Sequence, residues 1–253
     1  GNKAMVATGF PQDLTEDFDM SAAVNPQKPT SGRGMTSLVS FLGRANYNLM
    51  NKYLFTASFR RDGSSKFAPG NKWSNFASGA IAWRASEEQF IKDLNVFSNL
   101  KFRASYGQTG NQAIGAYATR DYLTVANYPI NGALASGFAN LTWRGPANPD
   151  LKWETTSQYN VGVDMGFFQN RINLTIDLYY KKTSDLLQNI QIPQSTGFSN
   201  MTTNFGNVTN KGLEITGKFY AITGKNLNWD FDANISFNRN KISGLPGDQF
   251  AQG

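Results

Sequence analysis

The stretch NVGVDMGFFQNRINLTIDLYYKK, Asn160 to Lys182, constrains this chain more tightly than any other. Before Gln169–Asn170 the apolar residues sit at odd positions: Val161, Val163, Met165 and Phe167. After it they sit at even positions: Ile172, Leu174, Ile176, Leu178 and Tyr180. Facing residues of an antiparallel pair have a constant index sum. A two-residue turn at Gln169–Asn170 makes that sum odd. It therefore predicts the pairs Phe167–Ile172, Met165–Leu174, Val163–Ile176 and Val161–Leu178, with every one of these side chains on one face. The opposite face carries Asp164, Asn173, Thr175 and Asp177, with Gly162 and Gly166 between them.

The same alternation recurs. Val39, Phe41, Gly43, Ala45 and Tyr47 lead through "NLMN" to Tyr53, Phe55, Ala57 and Phe59, which predicts a hairpin with an odd-numbered turn. Asn71 to Arg84 reads as a third strand of ambiguous facing, with Trp73, Ala77, Ile81 and Trp83 against Phe76, Ala80 and Ala82. Ser86 to Phe97 reads as a short helix capped by Ser86. Leu100 to Tyr106, Thr155 to Phe168, Arg171 to Lys182, Asn207 to Ile222 and Leu227 to Asn240 complete eight strands. A three-residue turn, Thr223 to Lys225, aligns Leu213, Ile215 and Phe219 with Trp229, Phe231 and Ile235. Asp230 and Asp232 then share the polar face. Gly107 to Asp150 reads as a long loop with a short strand at Asp121 to Asn127, and Ser184 to Phe205 as a second loop.

An apolar face opposite a polar one also suits a soluble sandwich. Strand length favours a membrane, because these strands exceed the usual 5–6 residues and a tilted spanning strand needs about 9–11. Connections alternate short and long along the chain, which puts short turns at one rim and long loops at the other. No run of about 18 apolar residues exists to form a spanning helix, and an alternating barrel strand needs none. Mean hydropathy is −0.42, as such alternation gives.

Cysteine and histidine are both absent, so thiolate and imidazole chemistry are excluded, and no cofactor is expected. The net charge of +6 is spread along the chain, with no basic stripe to bind nucleic acid. Glu87–Glu88 reads as dipole complementation at a helix start rather than an acid/base pair. Asp62-Gly63-Ser64-Ser65-Lys66 reads as a tight surface turn. "GQTGNQ", Gly107 to Gln112, lacks the Lys–Ser/Thr pair of a phosphate loop and reads as a flexible strand exit. Asp230, Asp232 and Asn234 have the period of a strand rather than the spacing of a calcium loop.

"RRDGSSKFAPGNKWSNFASGAIAWRASEEQF" (Arg60 to Phe90), "LKFRASYGQTGNQ" (Leu100 to Gln112), "NPDLKWETTSQYNVGVD" (Asn148 to Asp164) and "NVTNKGLEI" (Asn207 to Ile215) resemble the SusC/RagA family of TonB-dependent outer-membrane importers. The resemblance runs from Thr36 to Gly244. It implies a barrel of about 22 strands with a plugged lumen. It also implies uptake of oligosaccharides or peptides, a SusD-like surface lipoprotein as lid, energy through TonB, and no enzymatic activity.

The expected fold is thus all-β: an antiparallel transmembrane β-barrel segment, about eight strands of a larger barrel, with long extracellular loops and short periplasmic turns. Residues 1–35 are unpatterned, 36–244 supply barrel strands and 245–253 begin the next loop. No signal peptide, TonB-contacting box or plug domain is recognisable, so the chain is expected to be an internal segment. Val161, Val163, Met165, Phe167, Ile172, Leu174, Ile176 and Leu178 are expected to face lipid. Asp164, Asn173, Thr175, Asp177, Asp230 and Asp232 are expected to face the lumen. Trp143 and Trp153, in or beside the long loop, are candidate contacts for substrate or lid. Expected partners are the lipoprotein, TonB, membrane lipid and lipopolysaccharide. A complete eight-stranded barrel, a soluble carbohydrate-binding sandwich and an outer-membrane enzyme remain the alternatives.

Overall fold

The computed structural model describes residues 2–4, 7–8, 25–26, 30–32, 34–121, 123–130, 133–140 and 145–244. The chain forms two compact units, 1–37 and 38–253. In the first, Asn2–Ala4 pairs antiparallel with Thr30–Gly32, and Ala7–Thr8 with Asn25–Pro26.

The second is dominated by one eight-stranded antiparallel sheet. Its strands are β1 (Leu38–Leu49), β2 (Tyr53–Ser64), β3 (Trp73–Arg84), β4 (Phe97–Asn111), β5 (Glu154–Phe167), β6 (Ile172–Ser184), β7 (Asn207–Thr223) and β8 (Asn228–Ser243). Each pairs with its neighbours in sequence, so the meander runs β1 to β8 without a crossover. β1 and β8 are the open edges. The complete eight-stranded barrel is therefore corrected, because β1 and β8 do not pair. The sandwich is corrected too. Among the described residues the other sheets have two strands each, too few to cover an eight-stranded face.

The register places the apolar residues where the parity argument requires. Val161 faces Leu178, Val163 faces Ile176, Met165 faces Leu174 and Phe167 faces Ile172. Arg171 N donates to Phe168 O at 3.2 Å across the turn. Gln169 and Asn170 both have positive φ, 58° and 63°, as the hairpin turn that matches strand twist demands. Leu49 pairs with Tyr53 across three turn residues, so that hairpin's turn is odd.

The β7–β8 turn differs from expectation. It comprises Gly224 to Leu227, closed by Gly224 N donating to Leu227 O at 2.9 Å, and not Thr223 to Lys225. A four-residue turn gives an odd sum, which would set the apolar rows on opposite faces. A bulge between Tyr220 and Ile222 inserts one residue and restores the even sum, so Phe219 meets Phe231 and Ile215 meets Ile235. A second register shift, at Gly166/Phe167, skips Ser98 at the end of β4, so that the odd-numbered Phe97 pairs with Phe167 with ring centroids 5.2 Å apart.

The expected Ser86 helix is also corrected. Ala85–Glu87 is a 3₁₀ turn, and the α-helix, α1, is only Gln89–Lys92, with Glu88 at its N-cap position. Glu88 is held by the neighbouring hairpin instead, and that contact decides the local conformation. Lys52 Nζ and Tyr53 OH each donate to its carboxylate at 2.7 Å. The Lys52 bond is the largest cause holding the Glu88 carboxyl below the usual range. Glu87 pairs with Lys92 at 2.9 Å.

The long connections carry two hairpins, Leu123–Ile130 with Ala133–Asn140 and Leu187–Gln191 with Asn200–Asn204. The strand expected at Asp121 to Asn127 overlaps the first, while its partner and the second hairpin left no periodic signal. β4 runs to Asn111, so "GQTGNQ" continues a strand rather than leaving it.

Candidate functional site

Register carries one apolar row across the whole sheet. Tyr47–Phe55–Ile81–Ala104–Val161–Leu178–Leu213–Phe237 is a continuous line of cross-strand neighbours. The row lies open. Tyr47, Ile81, Val161, Leu178 and Phe237 are 55–61 % exposed. An exposed apolar face spanning eight strands is far larger than a water-soluble domain carries on its surface. Val163, Met165, Phe167, Ile172, Leu174 and Ile176 share it.

Alternate residues form the polar face. Asp164 pairs in register with Thr175 and Lys101, and Asp177 with Gly162 and Glu214. Asn173, Asp230 and Asp232 belong to the same face. Its centre is Arg103, a residue the sequence reading did not single out. Arg103 Nε lies 2.9 Å from Asp164 Oδ2, and Nη2 lies 3.0 Å from Asp177 Oδ1. Thr175 Oγ1 donates to Asp164 Oδ1 at 3.2 Å, and Lys101 Nζ stands 3.6 Å from Asp164 Oδ2. One planar guanidinium thus bridges carboxylates from two successive strands. Gly162 lies between them. A Cβ there would collide with Asp177 Oδ1 and lie 2.9 Å from Arg103 Nη2. Asp230 and Asp232 flank Lys218 at 3.3 and 3.4 Å. A polar groove above this network is lined by Gln158, Asn160, Tyr179, Lys181, Asn210 and Asn238.

A second centre lies where the long connections meet the sheet. Phe67, Phe76, Ile114, Leu151 and Trp153 form a buried cluster, with Ala118 and Leu187 packed against it. The facing of β3 is settled here, because Phe76 enters this cluster while Ile81 joins the apolar row. Trp153 is 5 % exposed. Its ring tilts against Phe67 at 5.3 Å and meets Phe76 edge-on at 5.8 Å. Its Nε1 donates to Lys72 O at 3.1 Å. A ring so enclosed packs the loops and offers little surface for direct contact. Trp143 lies outside the described residues. Of the Asp62–Lys66 stretch only Ser65 and Lys66 form the expected turn. Asp62, Gly63 and Ser64 are buried at the end of β2, and Lys66 Nζ donates to Gln112 O at 3.2 Å.

The segment 145–153 is tied to the hairpin 187–204. Asn148 Nδ2 donates to Thr202 O at 2.9 Å, and Asn204 exchanges bonds of 2.8 and 2.9 Å with the Lys152 backbone. No local periodicity announces Leu151, yet it is fully buried, because its environment comes from three separate connections.

The sequence profile described as "TonB dependent receptor-like, beta-barrel" matches residues 5–252. TonB-dependent receptor SusC of Bacteroides thetaiotaomicron is 42 % identical over 217 residues, 83 % of this chain and 21 % of that protein. TonB-dependent receptor P26 of Formosa agariphila is 41 % identical over 221 residues, 87 % of this chain and 22 % of that protein. The chain thus spans little more than a fifth of the relatives' length. Among solved structures, the RagAB peptide importer in its "open-open" state aligns with a TM-score of 0.78 at 31 % identity, covering 90 % of this chain and 24 % of that one. With its register, its open edges and this match along nearly its whole length, the chain belongs to the TonB-dependent receptor-like β-barrel family.

Proposed function

We propose that these eight strands form part of the wall of an outer-membrane nutrient importer. In this reading the apolar row faces lipid and the Arg103–Asp164–Asp177 face lines a water-filled, plugged lumen. The loop core around Trp153 holds the outer loops that meet substrate and a SusD-like lipoprotein lid. Uptake is energised through TonB, and the chain itself performs no catalysis. Oligosaccharides or peptides are the cargo class. The SusC and RagAB likenesses support the reading, and RagAB, a peptide importer, keeps both cargoes in play. The observation that carries it is the exposed apolar row shared by all eight strands.

The absence of cysteine makes a direct test available. Thr175 and Ile176 are adjacent residues assigned to opposite faces. In a full-length transporter carrying this segment and otherwise free of cysteine, Thr175→Cys is expected to react with a polar maleimide. Ile176→Cys is expected to resist that reagent, and a fluorophore placed there is expected to be quenched by brominated lipid. Equal labelling of both positions, or no lipid quenching at Ile176, overturns the reading. Growth of a deletion strain on defined oligosaccharides and on peptides then identifies the cargo.

A further inference from the structure

Charge is distributed unevenly between the two faces of the sheet. On the polar face, Asp62, Glu154, Asp164, Asp177, Glu214, Asp230 and Asp232 are mixed with Arg and Lys. On the apolar face the charged strand residues are Arg61, Lys182, Lys211, Arg239 and Lys241, and no Asp or Glu joins them. All five lie toward the rim of the long connections. At the opposite rim the same face carries uncharged side chains such as Tyr47, Tyr53, Trp83, Phe167 and Trp229.

Four of the five cations form one patch on β6–β8. Lys182 is opposite Thr209, which is opposite Lys241, while Lys211 is opposite Arg239. Residues opposed in this way have Cβ atoms about 4.5–5.5 Å apart. All four are exposed, and none has an ion-pair partner among the described residues. Immediately towards the other rim lie Leu178–Leu213–Phe237 and Ile176–Ile215–Ile235. Lysines that merely reach for water from a lipid-facing surface would serve both rims alike. Cations at one rim only, unpaired and above an apolar strip, fit an amphiphile with anionic heads in one leaflet.

We propose that Lys182, Lys211, Arg239 and Lys241 form a binding site for a phosphorylated lipid of the outer leaflet, with its acyl chains on the strip below. The proposal rests on the importer reading, which supplies the lipid-facing surface and places the long loops outside. Native mass spectrometry of the full-length transporter tests it, using a phosphorylated lipid A and the same lipid with its phosphate removed. The protein is expected to retain the phosphorylated form preferentially. Each Lys→Gln change is expected to weaken that preference about fivefold, and the quadruple Gln variant to abolish it. Changing the three lysines to Arg preserves the preference and separates charge from folding. Lys181→Gln, one residue along but on the polar face, leaves it intact. No preference in the native protein, loss with Lys181→Gln, or equal occupancy by inorganic phosphate overturns the site. If Ile176→Cys is quenched by lipid and no preference is seen, this site falls while the importer reading stands.

Discussion

Gly162 is needed for the space its missing side chain leaves, with Arg103 and Asp177 as its cross-strand neighbours. Valine there is expected to push the two ions apart and leave both carboxylates without their shared cation. The site is partly exposed, so the cost is about 1–2 kcal/mol, below that of a fully buried pair. Thermal unfolding of the full-length transporter in detergent would read it. Gly162→Val combined with Arg103→Ala should cost little more than Arg103→Ala alone, and an additive result would show that the glycine acts otherwise. The sequence placed Gly162, Asp164 and Asp177 on one face because parity is a local property. It did not single out Arg103, because which cation lies opposite two acids depends on the register with a strand far away in sequence.

At the scale of elements, β1 to β8 were legible and the connections were not. A strand exposed on one face and polar on the other writes its facing into every second residue. Leu151 has no such signature, and it is buried by contributions from three connections. Leu151→Ala is expected to cost about 2–5 kcal/mol locally, the range for emptying a packed core site. Limited proteolysis should then cut the 145–153 and 187–204 segments faster, while the sheet keeps its resistance to unfolding in detergent. Loss of the whole barrel instead would mean that the loop core also holds the sheet. The Ser86 helix failed for a related reason. Its capping pattern is local, but Glu88 finds stronger partners in Lys52 and Tyr53 on the adjacent hairpin.

At the scale of the molecule, the two faces predict opposite tolerance to charge. Ile176→Arg puts an uncompensated cation among apolar side chains and is expected to destabilise by about 2–4 kcal/mol if the residue sits near the bilayer midplane. Thr175→Arg, on the polar face opposite Asp164, is expected to change stability far less. Denaturant unfolding in lipid vesicles distinguishes them, and similar costs would contradict the assignment of faces. The sequence by itself determined that the chain forms long antiparallel strands with one apolar face, because side chains alternate about the strand with period two whatever the neighbours are. Only the tertiary structure decided how that face stays continuous. A bulge at Ala221 resets the parity that the β7–β8 turn would have broken, and one at Ser98 keeps Phe97 on the apolar face at the end of β4. Only it could place Trp153 and Leu151 in a common core, since that core assembles from segments between which the chain carries no periodic signal.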